Sequence, residues 1–182
     1  MPPPAPPRST VAGTWSVGSG TEARYGIDDT LLGQTTRVVG RTNSVSGTAA
    51  IDGLTVTSAR VVVNMQSVHC SCMHDPMYHN MLETPKYPSS VFTLTSPIVL
   101  PNEPAAGAVI TVPVTGTFSI HGNTRQVSFQ LQATRIGATR FAVKGSIPVD
   151  LSDYDIRQPE SGPVARVHNP SMELLIAFDK SN

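Results

Sequence analysis

From Val11 onward the chain alternates apolar and polar residues at period two in segment after segment, while the 3.6-residue period of an amphipathic helix is nearly absent. Ile110, Val112, Val114, Gly116, Phe118 and Ile120 place an apolar or small residue at every second position. After the turn His121-Gly122-Asn123 the same rhythm resumes through Val127, Phe129, Leu131 and Ala133, which predicts a hairpin. Phe141 to Val149 and Met172 to Phe178 repeat it. Earlier in the chain, Val45–Ile51 and Leu54–Met65 flank an Asp52-Gly53 turn, and Ser16–Ile27, Gln34–Val39 and Val91–Val99 supply further strands, the last broken at Pro97. So many short strands at regular spacing predict an all-β fold, an antiparallel up-and-down β-barrel of about eight strands, because closure removes exposed edges.

Two stretches break the rhythm. Asp75-Pro76 is a helix-start signal, since aspartate caps free N–H groups and proline fits the first turn, so a short helix is expected near residues 76–84, ended by Pro85 and Pro88. Leu151–Asn169 contains Pro159, Gly162 and Pro163 with little alternation, and reads as a long loop or helical turn over one barrel end. Five prolines within Met1–Pro7 favour extended backbone that buries nothing, so residues 1–12 are expected to form a tail or linker and 13–182 a single barrel domain.

Composition narrows the possible partners. Thirteen basic and thirteen acidic residues cancel, so the chain lacks the electrostatic footprint of a nucleic-acid or polybasic membrane-surface binder. No apolar run approaches the roughly 20 residues of a spanning helix. Nor does a basic segment followed by an apolar one open the chain, so no secretory signal is visible. No Gly-rich phosphate loop, nucleophile elbow or convincing acidic pair is present. Oligomeric state is not legible, and a homodimer stays open.

Trp15-Ser16-Val17, Tyr87-Pro88 followed by Phe92 and Thr95-Ser96, and Gly116-Thr117-Phe118-Ser119-Ile120-His121-Gly122 followed by Arg125, Val127 and Phe129 resemble the YceI-like family. The resemblance runs in order from about Trp15 to Phe178. It implies a lipocalin-like barrel that binds or transports a long isoprenoid-like or fatty chain, in a secreted or cell-envelope protein. The proline-rich start and Gly162-Pro163 look most like versions from the envelope of actinobacteria. An eight-stranded barrel has room for side chains or one small ligand. Phe118, Phe129, Leu131, Phe141, Val143, Gly145 and Ile147 are therefore the expected ligand-facing positions, although alternation shows an apolar face and not a hollow one. A single five-carbon isoprene unit would contribute about 3–4 kcal/mol by burial, before ordering costs.

The chain departs from the family pattern at residues 69–81. Where relatives carry an Arg-Asp pair entering the helix, only Asp75 remains, and both cysteines crowd this segment with three of the five histidines. Thiolate, thioether and imidazole select copper(I), or zinc where Cys and His dominate. Cys70, Cys72, His69, His74, His79, Met73 and Met77 are thus candidate metal ligands. Two other readings stand beside this one. Cys70 and Cys72 could form a labile disulfide with redox chemistry, or the methionines could simply cover the barrel mouth. His121 reads as structural, and His168 as a weak candidate for the same barrel end. The leading expectation is an apolar-ligand binder without chemistry of its own. The alternative is a copper or zinc metalloprotein, which as an enzyme would be a metal-dependent oxidoreductase.

Overall fold

The computed structural model describes residues 1–4, 9–31, 33–72, 75–157 and 164–181, with 29, 31 and 164–168 described by backbone path alone. The strands are β1 (Gly13–Val17), β2 (Glu22–Leu31), β3 (Gln34–Thr42), β4 (Val45–Asp52), β5 (Thr55–Asn64), β6 (Ser89–Leu94), β7 (Ile98–Val99), β8 (Val109–Ile120), β9 (Asn123–Arg135), β10 (Arg140–Pro148) and β11 (Val164–Lys180). One short helix, α1 (Asp75–Leu82), lies between β5 and β6, and single 3-10 turns occupy Met65–Ser67 and Leu151–Tyr154.

Hydrogen bonding runs β1-β4-β5-β6-β8-β9-β10-β11, and β11 pairs back to β1, which closes an eight-stranded antiparallel barrel. β2 and β3 extend the sheet beyond that ring from β11. The alternation read from the sequence is the inward face. Val112, Val114, Phe118 and Ile120 of β8 and Val61 and Val63 of β5 are buried, and the residues between them face outward or are partly exposed. The β8–β9 turn has His121 at φ 55° and Gly122 at φ 74°, the backbone of a two-residue type I′ hairpin turn. Gly122 is needed twice over, because a Cβ there would lie 2.6 Å from the Tyr87 ring.

The structure differs from the sequence expectation in the second half of the stretch Leu151–Asn169. Val164–Asn169 is not loop but the first part of β11, paired with β2 through two register shifts. Those shifts, together with Pro170, erase the period-two signal by which a strand is recognised. Before it, Leu151–Tyr154 does form the helical turn, with Tyr154 edge-on to Phe118. The helix ends at Leu82 and includes Asp75. At eight residues it is too short to persist alone, and its hold on the barrel comes from Tyr78, which is buried and packs 5.8 Å, ring to ring, from Tyr25.

Packing begins before residue 13. Val11 is fully buried and its carbonyl accepts the Trp15 Nε1–H at 2.9 Å. Thr10 and Ser9 hydrogen-bond Glu103, which also meets Arg135. The Thr10 hydroxyl first, then the Ser9 hydroxyl, the Thr10 N–H and the Arg135 charge hold the Glu103 carboxyl below its ordinary 4.5, against the opposing effect of burial. A carboxyl with a depressed folded pKa contributes stability that is fully present above the unfolded value and disappears as pH falls through the folded one. Glu103→Gln is therefore expected to be less stable than the wild type at about pH 7, with the gap narrowing once pH falls below the carboxyl's ordinary 4.5, in urea titrations paired at neutral and acid pH. A gap that is the same at both pH values would show that the ionised carboxylate contributes nothing.

Candidate functional site

Inside the barrel is a cavity of about 130 Å³ whose lining is apolar throughout. Its walls come from Trp15 of β1, Ile51 of β4, Val56 and Val61 of β5, Ile110, Val112 and Val114 of β8, Phe129, Leu131 and Ala133 of β9, Phe141 and Val143 of β10, and Leu174, Ile176 and Phe178 of β11. Trp15 stands edge-to-face against Phe141 with centroids 5.1 Å apart, and Phe92 does the same with Phe129 at 5.4 Å. Nothing in this space can hydrogen-bond a ligand, so it selects for hydrocarbon. An apolar cavity of about 150 Å³ stays dry and holds a benzene, so this one accommodates roughly one isoprene unit.

A second, smaller cavity of about 30 Å³ lies at the opposite end, under α1, between Tyr25, Met65, Tyr78, Met81, Ile120, Val149 and Met172. The strands show what separates the two. On β5 the large cavity is lined by Val61 and the small one by Met65 just beyond the strand, with Val63 between them; on β8 the order is Val114, Phe118, Ile120, and along β10 it is Val143, Ile147 and then Val149 just past the strand's end. Val63, Phe118 and Ile147 are 2%, 1% and 0% exposed and form a packed layer across the barrel.

Of the positions expected from sequence to face a ligand, Phe129, Leu131, Phe141 and Val143 line the large cavity. Phe118 and Ile147 sit in the dividing layer, away from both cavities. Gly145 is buried but lines neither; a Cβ there would lie 2.9 Å from Phe129 and 3.1 Å from Leu131, so its bareness makes room for those side chains. Trp15, Ile51, Val56, Ile110, Leu174 and Ile176 are among the further lining residues that were not singled out from sequence. The same alternation in their strands was the signal available for them.

Among the described residues of 69–79, the candidate ligands divide between a disulfide, the core and one shared carboxylate. Cys70 and Cys72 are joined in a disulfide, with Cα atoms 5.2 Å apart, and offer no thiolates in this state. Met77 packs against the core with Met81. Met73 and His74 lie outside the described residues. His69 and His79, however, converge on Asp75. The His69 Nδ1 is 2.9 Å and the His79 Nε2 3.7 Å from the same carboxylate oxygen, while the other oxygen accepts the Cys70 N–H at 2.8 Å. Burial works to raise the Asp75 pKa, but the hydrogen bonds from His69 and the Cys70 N–H and the two imidazole charges outweigh it and hold the carboxyl below its usual value. The His121 ring is a tie between elements. Nδ1 donates to the Tyr154 carbonyl at 3.0 Å, and Nε2 meets the Glu83 carboxylate. The register places His168 opposite Asp28 of β2, and its side chain lies outside what is described.

Comparison with known proteins bears on the barrel. The YceI-like domain matches residues 17–177. A polyisoprenoid-binding domain from Saccharophagus degradans implicated in plant cell wall breakdown superposes with a TM-score of 0.72 at 17% identity, over 92% of this chain and 98% of that one. BcnA of Burkholderia cenocepacia gives 0.59 at 16%, over 87% and 96%. The YceI protein of Campylobacter jejuni gives 0.60 at 14%, over 82% and 88%. At these identities the likeness is one of fold. No curated protein matches the chain in sequence.

Proposed function

Since this chain belongs to the YceI-like domain family, we propose that its barrel carries the hydrocarbon portion of a long isoprenoid or fatty chain. The observation that carries this reading is the wholly apolar cavity between Trp15 and Phe178. The polyisoprenoid-binding domain that shares the fold supports the choice of ligand class. Size sharpens it. One isoprene unit contributes only about 4 kcal/mol on burial, which corresponds to an affinity of about 1 mM before ordering costs. Tight binding therefore requires a chain that continues beyond the cavity. An envelope or secreted location fits the Cys70–Cys72 bond, since disulfides persist in oxidising compartments. No helix among the described residues is long and apolar enough to cross a membrane.

Trp15 is the only tryptophan and stands in the cavity wall, so its emission reports occupancy. Native mass spectrometry of the purified chain is expected to show an adduct of several hundred daltons, extractable into organic solvent. Delipidated protein should then show saturable changes in Trp15 emission with farnesol or palmitate. Protein that carries no adduct and gives an unchanged Trp15 signal with both probes would overturn the reading.

A further inference from the structure

His69, Asp75 and His79 lie apart from both cavity linings except where α1 carries them past the smaller one, and holding a hydrocarbon chain gives them no task. Three observations set the cluster apart from an ordinary surface ion pair. The first is spacing. Ligands of a tetrahedral ion with bonds of 2.0–2.1 Å stand about 3.3 Å from one another, and the two nitrogen-to-carboxylate distances, 2.9 and 3.7 Å, bracket that value. One ligand atom from each of the three residues lies within 4.8 Å of the other two.

The second is an unpartnered atom. His79 is 19% exposed, and its Nε2 is buried without a hydrogen-bond partner among the described residues. A buried polar atom left in this way asks for an ion or a water. The third is orientation. The buried Thr84 hydroxyl sits 2.9 Å from the His79 Nδ1 and can accept its N–H, which leaves the Nε2 lone pair facing Asp75. This is how metal-ligating imidazoles are held in one tautomer. On the other side the Cys70 N–H occupies one oxygen of Asp75, and the second is the oxygen that both imidazoles face, 2.9 Å from the His69 Nδ1.

We propose that His69, Asp75 and His79 bind one divalent cation of the zinc(II)/copper(II) class while the Cys70–Cys72 disulfide remains intact. The donor set is two imidazole nitrogens and one carboxylate oxygen, which suits borderline divalent ions and not copper(I). Three protein ligands leave a fourth position open, on the side where His69 is 61% exposed to solvent. His69 also bridges to Arg41 of β3 through paired backbone hydrogen bonds, whereas Asp75 and His79 belong to α1. A bound ion would therefore fasten the helix that covers the smaller cavity to the adjoining sheet. This inference is independent of what the barrel holds.

The test uses the full chain, stripped with EDTA, dialysed and kept non-reducing, with resistance to iodoacetamide confirming that no thiol is free. Calorimetric titration with zinc chloride is expected to show one equivalent bound and a raised thermal midpoint. His69→Ala and His79→Gln, each checked for folding by circular dichroism, should weaken binding by at least about tenfold. Histidine ring nitrogen spectra should shift for His69 and His79 and not for His121. No saturable binding by the wild type, unchanged affinity in both variants, or binding that emerges only after reduction of the disulfide would each overturn the proposal. The last result would place thiolates in the ligand set instead.

Discussion

Phe118→Ala is expected to cost about 3–5 kcal/mol of stability and to turn two separate cavities into one channel. Phe118 is nearly inaccessible, directly opposite Phe92 in the β6–β8 register and edge-on to Tyr154 at 6.0 Å. Its removal forfeits the transfer energy of the ring and leaves a void that the rigid barrel cannot collapse, which is why such losses reach the upper end for aromatic residues. The same void lies between the large cavity and the space under α1. The variant should therefore gain affinity for longer chains relative to shorter ones, for instance for farnesol over geraniol in Trp15 titrations. Urea unfolding provides the stability arm. A loss under about 1 kcal/mol would mean that the layer is loosely packed, and an unchanged chain-length preference would mean that Phe118 is not the barrier.

Ala133→Phe is expected to abolish hydrocarbon binding while leaving the fold in place. Ala133 is a buried residue of β9 in the wall of the large cavity, paired with Ile110 on one side and Val143 on the other. A phenyl ring at this position supplies from the protein itself the benzene-sized group that a cavity of this volume holds. The ligand then loses burial of five or six carbons, about 4 kcal/mol, so affinity for farnesol should fall by at least about a hundredfold. Stability should change by less than about 1.5 kcal/mol, since the added volume enters existing space. Retained affinity in a folded variant would place the ligand elsewhere than this cavity. Together the two substitutions separate occupancy from chain length, because one fills the compartment and the other opens its floor.

The β-barrel was legible because its signals are local. Alternation along Ile110–Ile120, Val127–Ala133 and Phe141–Val149 says which side chains share a face, and a face of that kind must be buried against another. The turn at His121-Gly122 and the helix start at Asp75-Pro76 are likewise read from neighbouring residues. Val164–Asn169 escaped detection because its register shifts break the period that defines a strand. The cavity was legible only in part. Phe129 and Phe118 are both apolar and inward, yet one lines open space and the other fills the barrel, and no property of either residue type distinguishes them.

Sequence by itself thus determined the family, the regularly alternating strands and their inward faces, since these follow from residue type and spacing along one chain. Tertiary structure alone decided that the interior is divided by Val63, Phe118 and Ile147, because packing across a barrel depends on residues from three strands meeting at one level. It also decided the fate of the segment around α1. Composition gathers cysteine, histidine and methionine there, but folding sends the sulfurs of Cys70 and Cys72 into one bond, Met77 against the core, and His69 and His79 onto a common carboxylate. Ligand type is written in the sequence, whereas the distances of a few ångströms that make a site are set only when β3, the segment after β5 and α1 come together.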